Sequence, residues 1–237
     1  MPLQEIELNP ITSSLAIGIP TYDSKVMVDI MGPLIQLAMT FQFHKVPFKL
    51  IYNAGNALIE LARNTIVDDF LKKTTAQKLL FLDADIIFTE KDVLRLLAWA
   101  QKYSVVGATY PSKRDAPSFL IQANKLNINQ FKFNEDMLIE AEGFGAGFLM
   151  IDRSVFEQLQ DKVPLIKAWD RDYHAYFKNE INGDLYTGED ISFLRLCARN
   201  GMIPVVDWQI ALKHVGYKAY DHKLSDLFLR DGIVKEI

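Results

Sequence analysis

Two aspartates one residue apart, Asp83-Ala84-Asp85, directly follow the apolar run Leu79-Leu80-Phe81-Leu82 and precede a second one, Ile86-Ile87-Phe88. Carboxylates wedged between hydrophobic stretches are costly to desolvate unless something compensates them. In extended chain, residues two apart face the same way, so both can converge on one hard cation that fills its shell with substrate phosphates. The bare pattern is common. With nineteen aspartates in the chain, about one or two such matches arise by chance, and Asp170-Arg171-Asp172 is a second, in a polar aromatic stretch that reads as surface loop. Capping of a turn is the alternative role for Asp83 and Asp85. His214, in Leu212-Lys213-His214-Val215-Gly216-Tyr217, supplies an imidazole that beside carboxylates suits manganese better than magnesium. Its alternative is an ordinary surface or core histidine.

Gly188-Glu189-Asp190 opens a stretch of helical period, where a carboxylate caps the helix or, equally, stays ionised and accepts a proton. Gly143-Phe144-Gly145-Ala146-Gly147 is either a flexible entry to a strand or bare backbone that a ligand approaches. Arg63 stands three residues after Glu60, a spacing for a solvated helical pair, with a reach to a diphosphate as the other reading. Cys197, the single cysteine, sits in a helical setting and reads as a packed thiol.

The elements that must position these residues alternate between apolar runs and helical periods, the pattern of an α/β domain with a mainly parallel sheet. Strands are expected at Leu15 to Ile19, Phe48 to Tyr52, Lys78 to Leu82, Ser104 to Tyr110, Ala146 to Ile151 and Ile203 to Trp208. A helix capped by Asp23 or Ser24 is expected to run to about His44, with Gly32-Pro33 as a kink or restart. Ile59, Ala62, Ile66 and Phe70 form one helical stripe between Asn56 and Lys72. Thr89 and Asp92 form a capping box before a helix with Val93, Leu96, Leu97 and Ala100 on its core face. Ser154 to Leu159 reads as a short helix, and Gly188 to Asn200 as a helix ended by Gly201. Short runs at Phe119 to Ile121 and Met137 to Ile139 are expected to pair as antiparallel strands.

The 237 residues carry 49% apolar and 24% charged types, ordinary globular values, and no linker divides them, so one domain is expected over 1–237. Within it a regular first part, about 15–112, is followed by a less regular second part, about 113–237. A net charge of −4 with scattered basic residues argues against duplex nucleic acid as a partner. The longest run of apolar residues and glycine, Gly143 to Ile151, is nine residues, against the about 20 that a membrane span needs. No Lys or Arg precedes Lys25, so a secretory n-region is missing, and with one cysteine the expectation is a cytoplasmic protein. Dinucleotide, P-loop, G-x-S-x-G and H-E-x-x-H signatures are absent from the sequence.

Read together and in order, Ile17-Gly18-Ile19-Pro20-Thr21-Tyr22, Ala62-Arg63-Asn64, Asp83-Ala84-Asp85, Gly145-Ala146-Gly147-Phe148-Leu149-Met150, Gly188-Glu189-Asp190 and His214-Val215-Gly216 resemble the GT-A class of glycosyltransferases. This is the nucleotide-diphospho-sugar transferase superfamily, and the likeness is to its small family-2-like and viral members. The resemblance implies a mainly parallel sheet flanked by helices with a small antiparallel addition. It implies a hexose moved from a nucleoside-diphosphate sugar to an acceptor hydroxyl, UDP-sugars favoured and GDP-sugars second. Pro20, Thr21, Tyr22 and Asp23 would line the base and ribose pocket, with Arg63, Ala84 and Lys218 also on the donor. Asp83 would contact ribose or metal-bound water, and Asp83, Asp85 and His214 would hold Mn2+ or Mg2+. Gly145, Ala146 and Gly147 would let the sugar lie against backbone, and Asp190, with Glu189 beside it, would be the base. No Q-x-x-R-W arrangement follows, which departs from processive synthases. The acceptor would meet the irregular regions Lys113 to Asn134 and Asp161 to Tyr186, where Trp169, Tyr173 and Tyr176 can stack on a sugar or pack. A nucleotidyltransferase and a carbohydrate-binding module with a lapsed site are the rival readings.

Overall fold

A computed structural model describes residues 8–116, 118–122, 131–167, 171–216 and 218–226. The strands in chain order are β1 (Leu15–Thr21), β2 (Phe48–Ala54), β3 (Lys78–Leu82), β4 (Ile86–Ile87), β5 (Val105–Gly107), β6 (Ile121–Gln122), β7 (Lys132–Phe133), β8 (Ile139–Glu140), β9 (Gly143–Phe144) and β10 (Phe148–Asp152). After them come β11 (Leu165–Lys167), β12 (Asp172–His174), β13 (Glu180–Asn182), β14 (Leu185–Thr187), β15 (Val205–Val206), β16 (Lys213–Val215) and β17 (Ala219–Tyr220). The helices are α1 (Met31–Phe43), α2 (Ile59–Lys73), α3 (Glu90–Trp99), α4 (Arg153–Leu159) and α5 (Glu189–Arg199).

Among the described residues eight strands form the central sheet, in the order β2-β1-β3-β10-β5-β15-β8-β7. Only β10 and β8 run against the others, so the sheet is mainly parallel. Side chains of a strand alternate between faces, and both faces here are covered. Ala16, Leu79, Phe81, Leu149 and Ile151 pack beneath α2, α4 and α5, while Leu15, Ile17, Leu80, Leu82, Phe148 and Met150 pack against α1 and α3. Burial on both sides is why these strands read as unbroken apolar runs. Each fully buried Leu, Ile or Phe contributes about 1.5–3 kcal/mol.

Several expectations are corrected. The first helix begins at Met31, after a 3-10 turn at Val28–Ile30, and its N-cap carries no side-chain hydrogen bond. Asp23 and Ser24 therefore do not cap it. Pro33 explains the late start, because its missing N–H is harmless in the first turn and disruptive further in. The runs around Phe119 and Met137 do not pair with each other: β6 joins β9, and β8 joins β7 and β15. The strand expected over Ser104 to Tyr110 keeps only Val105–Gly107 in the ladder.

The strand ending in Asp152 runs antiparallel to both of its neighbours, β3 and β5, and side chains at its end hold it there. Lys78 pairs with Asp152 and donates to the carbonyl of Ala100 at 2.7 Å. Arg153 donates to the carbonyls of Phe70 and Thr74, at the C-terminal end of α2, both at 2.9 Å, and to that of Ala76 just beyond it at 2.8 Å.

Candidate active site

The segment between β3 and β4 is a turn rather than extended chain, so Asp83 and Asp85 take different partners. Asp83 accepts from Arg63 Nη2 at 3.0 Å, and its own N–H donates to the Gly147 carbonyl at 2.9 Å. Asp85 meets Lys113 Nζ at 2.6 Å and His214 Nε2 at 3.4 Å, both through Oδ2. Burial opposes ionisation of Asp85, but hydrogen bonds from His214 and Lys113 outweigh it and hold the carboxyl at about 2. Ala84 uses its carbonyl to accept from Met27 N at 3.0 Å, tying the segment after β1 to this turn.

His214 reaches the turn because β16 pairs antiparallel with β4, setting His214 opposite Ile86, while Val215 N donates to the Asp85 carbonyl at 2.9 Å. The other imidazole nitrogen, Nδ1, lies 2.9 Å from the Pro111 carbonyl. A carbonyl only accepts, so Nδ1 carries a proton; Nε2 faces Asp85, donating to it when it carries a second proton and offering a lone pair when it does not. A metal-ligating histidine is held the same way, with its second ring nitrogen bound to a backbone carbonyl.

Arg63 is the hub. It is 3% exposed, bridges Asp83 and Glu189 (Nε to Oε1, 3.3 Å) and lies 5.2 Å from the Phe81 ring centre. Burial works against its charge, yet Asp83 and Glu189 raise its proton affinity above the ordinary arginine value. The helical pair with Glu60 expected from spacing is thus replaced by contacts from two distant elements. Neighbouring Asn64 exchanges two hydrogen bonds with the backbone of Phe177, at 2.7 and 2.9 Å. Phe177 in turn stacks on Phe193 of α5, with ring centres 4.3 Å apart. The N-terminal half of α5 is thereby tied to α2.

Glu189 and Asp190 sit in that first turn, after an N-cap Gly188 that makes no side-chain cap. Asp190 Oδ1 accepts from the N–H of Ile191 at 2.7 Å. Burial first, and then the Glu189 charge, push its carboxyl up to about 6, against the opposing pull of Arg63.

Gly145 and Gly147 are buried, and the space over them is filled from within the protein. A Cβ on Gly145 would stand 2.5 Å from the Tyr110 hydroxyl, and one on Gly147 would stand 2.6 Å from Asp83 Oδ2. Buried Ala146 lies between them. Tyr110 accepts from Gly147 N at 3.2 Å and packs edge-on against His214, ring centres 5.1 Å apart. Burial, then the Asp83 charge, push its phenol far above the usual range. Tyr110 and Lys113 are central residues that sequence reading missed. Their one signal was position, at and just after the C-terminal end of an expected strand.

At the end of β1, Pro20 and Thr21 are buried while Tyr22 is 74% exposed, and Asp23 pairs with Lys25 at 3.0 Å. Lys218 is exposed, pairs with Asp115 and lies 5.3 Å from the Tyr220 ring centre. Tyr176 is buried and donates to the Phe156 carbonyl, so it packs. Tyr173 lies in β12, half-buried. Trp169 and Asp170 lie outside the described residues. Cys197 is buried, and burial raises its thiol pKa. Among the described residues no three His, Cys, Asp or Glu side chains form a group that could hold a metal ion, and no helix is long and apolar enough to cross a membrane.

No protein-family model and no curated protein matches this chain. Solved structures do. A197 from STIV aligns over 86% of each chain with 20% identity and a TM-score of 0.53. TarS 1–349 of S. aureus, solved in complex with UDP-GlcNAc, aligns over 84% of this chain and 57% of its own, with 11% identity and a TM-score of 0.41. A glycosyltransferase involved in glycosylation of the major capsid of PBCV-1 aligns over 64% and 69%, at 11% and 0.34. At these identities the likeness is one of fold, and the last two add no weight to it. The chain has a mixed α/β fold with a large, mainly parallel sheet between helices, a fold it shares with A197 from STIV.

Proposed function

We propose that this protein is a metal-dependent glycosyltransferase that moves one hexose from a nucleoside-diphosphate sugar, UDP-sugars favoured over GDP-sugars, to an acceptor hydroxyl with inversion. The observation that carries this reading is that Arg63 draws Asp83 and Glu189 together at 3.0 and 3.3 Å, with Asp190 beside Glu189 in the first turn of α5 and Asp85, two residues after Asp83, facing His214. Ligands of open α/β sheets bind at the carboxyl ends of strands, which is where β1 and β3 deliver Thr21 and Asp83.

In this reading exposed Tyr22 offers a face to the nucleobase, with Pro20, Thr21 and Asp23 beside it, and Ala84 and Lys218 complete the donor contacts. Gly145, Ala146 and Gly147 would take the sugar once Tyr110, and over Gly147 the Asp83 carboxylate as well, shift from their places over them. Among the described residues Arg63 Nη1 is buried with no hydrogen-bond partner, a donor left for an anionic oxygen of the diphosphate. The donor set fits a divalent ion in part: Asp85 and His214 would hold it, His214 through Nε2, with Asp83 committed to Arg63. Bound there, Mn2+ or Mg2+ would supply charge stabilisation to the departing diphosphate.

Asp190, with a carboxyl poised at about 6, takes the proton from the acceptor hydroxyl. The bond from the anomeric carbon to the diphosphate breaks as the bond to the acceptor oxygen forms, and the nucleoside diphosphate leaves. A positioned base of this kind contributes typically about 10²- to 10⁴-fold.

The test is a panel of UDP- and GDP-sugars assayed for slow donor hydrolysis with Mn2+ and with EDTA, alongside calorimetry. At least one donor should bind and hydrolyse only with the metal. Asp85→Ala should lose metal-dependent donor binding. A panel with no binding and no hydrolysis would refute the assignment.

A further inference from the structure

Lys113 follows β5 in a polar segment that carries none of the recognised motifs, yet its ammonium reaches the candidate metal pair. It meets Oδ2 of Asp85 at 2.6 Å, and the same oxygen faces His214 Nε2 at 3.4 Å. Gly216, just past β16, leaves room for the lysine stem: a Cβ there would come within 3.1 Å of Lys113 Cδ. Three separate segments therefore place an internal cation on the oxygen that a divalent ion needs.

We infer that Lys113 is a displaceable place-holder, occupying Asp85 until a divalent ion arrives and leaving when it binds. The inference rests on the metal reading of Asp85 and His214. A monovalent and a divalent cation on one carboxylate oxygen repel strongly, so the two states exclude each other. The exchange is easy, because Lys113 and Asp85 are 41% and 35% exposed and an ion pair so open to solvent is weak. Meanwhile the lysine keeps Asp85 ionised and compensated, so the turn does not hold a bare carboxylate beside the apolar runs. Because the released ammonium stays tethered beside the ion, an anionic diphosphate favours the exchange, and metal and donor should each tighten the other.

Mn2+ titration followed by the electron paramagnetic resonance of the free ion tests this with no turnover involved. It uses the full chain without donor, and thermal unfolding confirms that each variant is folded. Lys113→Met should bind Mn2+ about tenfold more tightly than the wild type, having lost the competing charge. Lys113→Gln should do the same, and Lys113→Arg, which keeps the charge, should stay within about threefold of the wild type. Equal Mn2+ affinity in wild type and Lys113→Met overturns the place-holder while leaving the metal reading intact. Absence of Mn2+ binding in every protein, with UDP and GDP added as well as without them, overturns both. Donor hydrolysis that survives EDTA in the wild type and disappears in Lys113→Met makes the lysine the permanent cation of the site and also overturns the exchange.

Discussion

Asp190→Asn should make the protein more stable and less active, and the size of the first effect follows from the site. A carboxyl that titrates at 3.8 in the unfolded chain and at about 6 in the folded one binds its proton more tightly in the native state. Its ionised form is therefore disfavoured by folding: stability from this group is complete below pH 3.8 and falls as the pH rises through about 6. The shift corresponds to about 3 kcal/mol of native-state penalty at pH 8. Asparagine removes the charge beside Glu189 and Asp83 while its side-chain oxygen can still accept from Ile191 N, so most of that penalty should be relieved. Urea unfolding of wild type and variant between pH 3.5 and pH 8 should give matching stabilities at the acid end. A gap should open through pH 4–6 and level off at up to about 3 kcal/mol, in favour of asparagine. Transfer should fall by about 10²- to 10⁴-fold with donor binding retained, and wild-type turnover should rise with pH through about 6. A variant whose stability tracks the wild type at every pH would refute the buried-carboxylate reasoning. One that keeps normal turnover would refute the base.

Arg63→Met should be severely destabilising, by about 3–5 kcal/mol, because it strands Asp83 and Glu189 without their shared partner at a nearly solvent-free position; a loss under about 1 kcal/mol in denaturant unfolding would mean that the bridge is not formed. Gly147→Ala forces a methyl group to 2.6 Å from Asp83 Oδ2 and 2.7 Å from the Tyr110 hydroxyl. It should cost about 1–3 kcal/mol in the same measurement.

Much of the scaffold was legible because its signals are local. Leu15 to Ile19 and Lys78 to Leu82 read as strands from apolar runs, and the structure buries both on two faces. The Thr89–Asp92 box caps α3 with both of its reciprocal hydrogen bonds, and Gly201 adopts a positive φ of 82° just past α5, where only glycine is unstrained. The pairing of the runs near Phe119 and Met137 is not legible in the sequence, because short strands carry no mark of their partner. Their neighbours β9 and β15 compete through contacts that no local window contains.

From its residues alone the chain determines the α/β alternation and the apolar runs that become its strands. It also sets two carboxylates at a strand end, an acidic first turn on α5 and a histidine near the C-terminal end. Which of these groups meet was decided only by tertiary structure. The turn between β3 and β4 sends Asp83 to Arg63 and Asp85 to His214 and Lys113, and the docking of α5 over α2 closes the bridge from Arg63 to Glu189. The physical reason is that ion pairs and proton affinities depend on distance and dielectric across space, whereas spacing along the chain constrains only neighbours on the same helix or strand.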